Sequence, residues 1–149
     1  EAIPAGKKLF VEIKCGKEIL PFLEELLARS GKMSQIVIIS FDLDVVVESK
    51  KRMPSIPTYW LKGTEKEKET KEWIPHSPKL VEIVKEKNLD GLDVNYNGVH
   101  KSFVDAVKAS GLQLHVWTVD DLEEAKKLRD LGVDGITTNR PGWLLEHLR

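Results

Sequence analysis

Leu9-Phe10-Val11-Glu12-Ile13-Lys14 is a nearly continuous apolar run into which one carboxylate and one ammonium are set. In an extended strand, successive side chains point to opposite faces. Leu9, Val11 and Ile13 therefore share one side, while Phe10, Glu12 and Lys14 share the other. Charged side chains are seldom buried unless they are paired or bind a metal. An acid and a base two residues apart at the exit of a buried strand thus read either as a functional site or as an ion pair that holds the strand end.

Working outward from this run, short β-branched stretches alternate with helical patterns. Residues 17–29 place Ile19, Leu20, Leu23, Leu26 and Leu27 on one helical stripe, with Pro21 near the first turn and Gly31 just past the end. Residues 36–41 read as a fully buried strand, after which Asp42 or Asp44 caps a helix carrying Val45, Val46 and Val47. A brief strand at 58–61 follows the breakers Pro54 and Pro57. Ser77 and Pro78 open a helix that turns Leu80, Val81, Ile83 and Val84 inward and ends near Asn88. Strand 91–95 puts Asp93 and Asn95 on one face, and helix 100–110 packs through Phe103, Val104 and Val107 before Gly111. Strand 114–119 leads to Asp120 as cap of a helix over 121–131, closed by Gly132. Strand 135–139 and a helix from Pro141 finish the chain.

One segment stands apart. Residues 62–72 read KGTEKEKETKE, with no apolar side chain until Trp73. Mixed-charge runs of this kind are solvated, so it reads as a surface insertion, an exposed loop or frayed helix.

Six strands, each followed by a helix or loop, imply parallel pairing with right-handed crossovers. Two α/β architectures satisfy that pattern: an open doubly wound sheet, or most of a (β/α)8 barrel. Both gather functional groups at the carboxyl ends of the strands. The polar residues collect there: Glu12 and Lys14, Ser40 and Asp42, Asp93 and Asn95, Trp117 and Thr118, Thr138 and Asn139. The sequence has no glycine-rich phosphate turn of the GxGxxG or GxxxxGK[ST] type, which favours the barrel. With 149 residues against roughly 200–250 for a typical barrel, it would be an incomplete one.

Composition narrows the function classes. Lys and Arg number 23 against 24 Asp and Glu, so no net field favours nucleic acid or an anionic membrane. No apolar run approaches the roughly 18–20 residues of a membrane span, and no charged-then-apolar signal opens the chain, so a cytoplasmic protein is expected. Cys15 is the only cysteine, which rules out an internal disulfide and a thiolate metal cluster. Among the histidines, His76, His100 and His147 read as surface residues. His115, on a strand but toward its start, reads as a hydrogen-bonded core histidine.

VEIK at 11–14, ISFD at 39–42, VWTVDD at 116–121 and GVDGITTNRP at 132–141 resemble, in that order and spacing, the carboxyl-terminal part of the glycerophosphodiester phosphodiesterase family. The resemblance covers nearly all of the chain. It differs from the family at Asp120, where Asn is frequent, and at Asn139, where Asp is frequent. It implies a TIM-barrel-type fold of the PLC-like phosphodiesterases, represented here by about six βα units over residues 1–149. It also implies a metal-dependent hydrolysis of glycerophosphodiesters to glycerol 3-phosphate and an alcohol. Carried over to this sequence, Glu12 is a ligand of a divalent cation, Ca or Mg, Lys14 contacts the phosphate, and Trp117 forms a wall of the substrate pocket.

The family's HRG motif, PEN turn and His-Asp pair have no counterpart before Lys14, and with them go both catalytic histidines and two of three metal-binding carboxylates. The expectation is a carboxyl-terminal segment that is inactive alone and prone to self-association through open barrel edges. Two other readings stand beside it: a non-catalytic partial barrel used for binding or assembly, and an open α/β binding module.

Overall fold

The computed structural model describes residues 3–148, in which strands and helices alternate as the sequence predicts. They fall into two units, one of residues up to 61 together with 84–90, the other of 62–83 together with those from 91 onward.

The first unit is built on β1 (Leu9–Glu12), β2 (Ile36–Ser40) and β3 (Thr58–Lys62), with α1 (Leu20–Ser30) and α2 (Leu43–Arg52) as the crossovers. β1 pairs parallel with β2, from Leu9 beside Ile36 to Glu12 beside Ile39. β2 in turn pairs parallel with β3, from Ile38 beside Thr58 to Ser40 beside Trp60. Ile36, Ile38, Leu20, Leu27, Val45, Met53 and Ile56 form the core, as expected where helices cover a parallel sheet. Asp42 caps α2, its Oδ1 accepting from the Asp44 and Val45 amides at 2.8 and 3.3 Å.

Three expectations fail in this unit. β1 is not buried: Leu9 and Phe10 are 46% and 38% exposed, because β1 is the edge strand of the unit and has β2 on one side only. The residue that enters the core is Ile13, just past the strand, whose N–H donates to the Ile39 carbonyl at 2.9 Å. On α1, Leu27 joins the core with Ile36 and Ile38, whereas Leu26, about 100° round the helix from it, falls outside the buried stripe and is exposed. Phe41 likewise turns outward where the strand has ended.

In the second unit β4 (Gly91–Asn95), β5 (Gln113–Trp117) and β6 (Gly135–Ile136) run parallel. Gly91 lies beside Gln113 through to Asn95 beside Trp117, and His115 lies beside Gly135. α4 (Lys101–Ala109), α5 (Leu122–Leu131) and α6 (Pro141–His147) follow the strands, and α3 (Lys79–Glu86) is shared along its length between the units. Leu92, Val94, Phe103, Val104, Val107, Leu114, Val116 and Leu128 are buried. Gly135 is required by close approach: a Cβ there would lie 2.3 Å from His115 Nδ1.

β5 and β6 are shorter than predicted. The ladder continues for two bonds, from Thr137 N to Val116 O at 2.8 Å and from Val119 N to Thr137 O at 2.9 Å. Thr138 and Asn139 then leave it to bond Asp120. Asp120 is therefore not the cap of α5. That role falls one residue later, to Asp121, whose Oδ1 accepts from the Glu124 amide at 2.9 Å. The charged stretch after β3 is a hydrogen-bonded loop and not a frayed helix. An isolated antiparallel bridge joins Lys66 and Trp73, and the Glu67 carboxylate collects the Glu69 and Thr70 amides at 2.8 and 2.7 Å.

Candidate functional site

At the carboxyl ends of β1 and β2, the structure brings Glu12 and Lys14 together. Glu12 Oε2 lies 3.4 Å from Lys14 Nζ, with the two side chains 32% and 78% exposed. They line a cavity of about 430 Å³ with Ile13, Ser40, Phe41 and Asp42. Two of the polar lining residues have structural duties. Buried Ser40 donates to the Ile13 carbonyl at 2.7 Å and accepts from the Asp42 amide, and Asp42 caps α2. Glu12 and Lys14 carry no such duty toward the backbone. Since both reach solvent, their pairing is worth at most about 1 kcal/mol and does not account for the strand end being held. The buttress of that end is the Ser40 hydroxyl.

A carboxylate such as Glu12 suits a hard cation, since Ca²⁺ and Mg²⁺ take oxygen ligands, but each wants about six or more of them. Among the described residues, no group of three or more His, Cys, Asp or Glu side chains could hold a metal ion. Glu12 therefore fits such a centre in kind, as one donor, and the described residues do not make up a complete shell.

Trp117 stands at the end of β5, in the other unit, with its indole Nε1 donating to the Asp93 carbonyl at 3.2 Å and its ring half-buried. The peptide from Trp117 to Thr118 is cis. Asp93, on the neighbouring strand, is 3% exposed. Asn95 caps the turn Tyr96–Gly98, accepting from the Asn97 amide at 3.0 Å.

Beyond Trp117, Asp120 accepts three bonds of 2.8 Å: from the Thr138 hydroxyl, the Asn139 amide N–H and the Asn139 side-chain amide. Those bonds, Asn139's first, hold the Asp120 carboxyl below the usual aspartate range.

His76 is the residue the sequence reading missed. Flanked by prolines, it reads as a surface turn, yet it is only 6% exposed. Its Nε2 meets the Asn95 carbonyl at 2.8 Å, its backbone N–H donates to the Gly98 carbonyl at 2.9 Å, and its ring tilts against Phe103 at 5.4 Å. A Cβ on Gly98 would lie 2.8 Å from the ring, so glycine there admits the imidazole. Burial lowers the His76 pKa, and the positive fields of His100 and Lys62 lower it further against the Asn95 bond. The sequence around it carries no signal of this burial, since Trp73, Ile74 and Pro75 ahead of it are apolar but exposed. His147 is exposed and stacks on Trp143, as expected of a surface residue. His100 and His115 are half-buried, and burial lowers the His115 pKa against the opposing pull of Asp134.

Comparison with known proteins bears on the family and the fold. The profile of the glycerophosphoryl diester phosphodiesterase family matches residues 4–143. A glycerophosphodiester phosphodiesterase of Bacillus subtilis (strain 168) is 28% identical over 117 residues, which is 78% of this chain and 38% of that protein. A solved structure from Silicibacter pomeroyi DSS-3 superposes with a TM-score of 0.80 over 95% of this chain and 50% of the other, at 22% identity. A phosphodiesterase from Oleispira antarctica, solved in complex with the product sn-glycerol-3-phosphate, covers 95% of this chain and 55% of its own, with a TM-score of 0.67 and 19% identity. The chain thus spans about half the length, or less, of the curated relatives it matches.

Proposed function

We propose that this chain, which belongs to the glycerophosphoryl diester phosphodiesterase family, serves the metal-dependent hydrolysis of glycerophosphodiesters to glycerol 3-phosphate and an alcohol. The observation that carries the reading is the Glu12 and Lys14 pair, 3.4 Å apart and solvent-reaching at the carboxyl end of β1, in the place where barrel enzymes keep their chemistry. Glu12 would supply one carboxylate to a divalent cation, Ca or Mg. Such a cation, when bound, polarises a phosphoryl oxygen. Lys14, a flexible point charge, would bind a non-bridging phosphoryl oxygen and stabilise the charge that grows on it during the displacement. Trp117, fixed by its bond to the Asp93 carbonyl, would offer an apolar face to the glycerol carbons. The displacement also needs a base and an acid that titrate near neutrality. All four histidines lie in the second unit, and none lines the Glu12 cavity. The 149-residue chain by itself is accordingly expected not to turn over.

The test is binding. Glycerol 3-phosphate with Mg²⁺ or Ca²⁺ should shift the amide resonances of residues 12–16. Lys14→Met should weaken the phosphate ligand about tenfold, the loss of one charged hydrogen bond, and leave cation affinity nearly unchanged. Glu12→Gln should do the reverse, weakening the cation first. Unaltered cation binding in Glu12→Gln would remove that residue from the site. A second reading, assembly through self-association, is favoured by the exposed Leu9 and Phe10 of β1. A concentration-dependent mass in light scattering, abolished by Phe10→Lys, would support it.

A further inference from the structure

Glu12 and Lys14 flank one residue, Ile13, and the way that residue is tied down differs on its two sides. The β1 ladder stops at Glu12 beside Ile39, yet Ile13 is 6% exposed and is held at both of its backbone groups. Its N–H, part of the Glu12–Ile13 peptide, donates to the Ile39 carbonyl at 2.9 Å. Its carbonyl, part of the Ile13–Lys14 peptide, accepts from the Ser40 hydroxyl at 2.7 Å. The first peptide is thus fixed by the neighbouring backbone and the second by a side chain. The direction of the second bond follows from the other contact of the Ser40 oxygen. That oxygen accepts from the Asp42 amide at 3.2 Å, and a carbonyl only accepts, so the hydroxyl proton goes to Ile13. Asp42 is itself fixed as the cap of α2. A continuous chain of bonds therefore runs from the first turn of α2, through Asp42 and Ser40, to the peptide that carries Lys14.

Lys14 lies past the end of β1 on a long flexible stem, and its side chain is 78% exposed. What the fold can fix for such a residue is the place and direction of its backbone, and the Ser40 bond supplies that. Ser40 is 1% exposed and its hydroxyl is committed to the main chain, so it is not itself a phosphate contact. We propose that Ser40 is a positioning residue for phosphate binding: its hydroxyl fixes the Ile13–Lys14 peptide and thereby aims Lys14 at the Glu12 cavity. This rests on the reading of the preceding subsection, in which Lys14 binds a phosphoryl oxygen. Because Ser40 acts through Lys14, its removal cannot cost the ligand more than the removal of Lys14 does. A hydroxyl that only stabilised the fold would act alike whether Lys14 were present or not.

The experiment is a titration of the full 149-residue chain with glycerol 3-phosphate at fixed Mg²⁺, read from the amide resonances of residues 12–16. Ser40→Ala should weaken the ligand about three- to tenfold, the upper figure being the loss expected of Lys14→Met. Added to Lys14→Met, it should cost less than about twofold, since the group it positions is gone. Ser49→Ala is the control: that hydroxyl is also buried and bonds the Val45 carbonyl at 2.7 Å within α2, so its loss should leave the affinity unchanged. Should Ser40→Ala not fold, the unsubstituted chain carries the test. Its Lys14 amide should show the order parameter of rigid backbone, about 0.85, although it lies beyond the strand; a value below about 0.6 overturns the proposal. Affinity kept in Ser40→Ala, or lost equally with and without Lys14, overturns it too and leaves the phosphodiesterase reading standing. No response of the unsubstituted chain to glycerol 3-phosphate removes that reading and this proposal with it.

Discussion

Asp90→Ala should be among the most damaging single substitutions in the first unit, out of proportion to the exposure of the side chain. Asp90 Oδ1 and Oδ2 take Lys50 Nζ at 2.9 and 2.8 Å, and Oδ2 also accepts the Thr58 amide at the start of β3 at 2.8 Å. Lys50 is held in turn by the Pro54 carbonyl at 2.9 Å, and its side chain is 12% exposed against 35% for Asp90. Truncation leaves a largely buried ammonium with one neutral acceptor and a strand amide without its partner. Breaking a buried pair costs about 3–5 kcal/mol. The one-third exposure of Asp90 lets water recover part of that, which brings the expected loss to about 2–4 kcal/mol, the orphaned amide included. For a chain of this size, that lowers the thermal midpoint by roughly 4–16 °C. Lys50→Met leaves Asp90 its amide and access to solvent and should cost only about 1 kcal/mol. Urea unfolding of both variants, with the double substitution to close the cycle, reads these quantities. A loss for Asp90→Ala within about 0.5 kcal/mol of zero, or below that of Lys50→Met, would refute the reasoning.

Gly135→Ala drives a methyl to 2.3 Å from His115 Nδ1 and should destabilise by about 1–3 kcal/mol; His115→Ala in the same chain should relieve most of it, as a thermal-melt cycle would show. His76 has a folded pKa below its unfolded value near 6.5. Its contribution to stability is therefore complete above about pH 6.5 and lost as pH falls toward the lowered folded value, a slope that should flatten in His76→Phe. Asp120 is depressed as well, so its contribution is present above the ordinary aspartate pKa and lost as pH falls through the folded one. Carboxyl NMR should find it titrating below the ordinary aspartate range, and Asn139→Ala should return it toward that range.

The alternation of strands and helices was legible because β-branched runs and helical stripes differ in period, and because parallel crossovers leave few topologies. Caps were legible to within one residue: Asp42 is one of two candidates for α2, whereas the α5 cap reads as Asp120 and is Asp121, because both are competent acceptors and only the contact with Asn139 separates them. What could not be read was decided by neighbours distant in sequence. An apolar strand looks the same at an edge as in the middle of a sheet, so Leu9 and Phe10 read as buried. His76 looked like a surface turn because its burial is made by Gly98 and Phe103, over twenty residues away. The adjacency of Glu12 and Lys14 followed from strand geometry alone, whereas their exposure followed from β1 having only one neighbour in its unit.

The bonds between Asp120 and Asn139 make two differences from the family resemblance into one. Where the resemblance expects Asn at 120 and Asp at 139, this chain has Asp120 and Asn139, so a carboxylate still faces an amide across the contact. Such an exchange takes two substitutions, and the order matters. A passage through Asp and Asp would set two carboxylates within hydrogen-bond reach, where they cannot both ionise without cost. A passage through Asn and Asn keeps a donor opposite an acceptor at every step. The two positions are therefore coupled in this chain: Asp120→Asn alone leaves two amides that still offer donor to acceptor, whereas Asn139→Asp alone sets two carboxylates against each other.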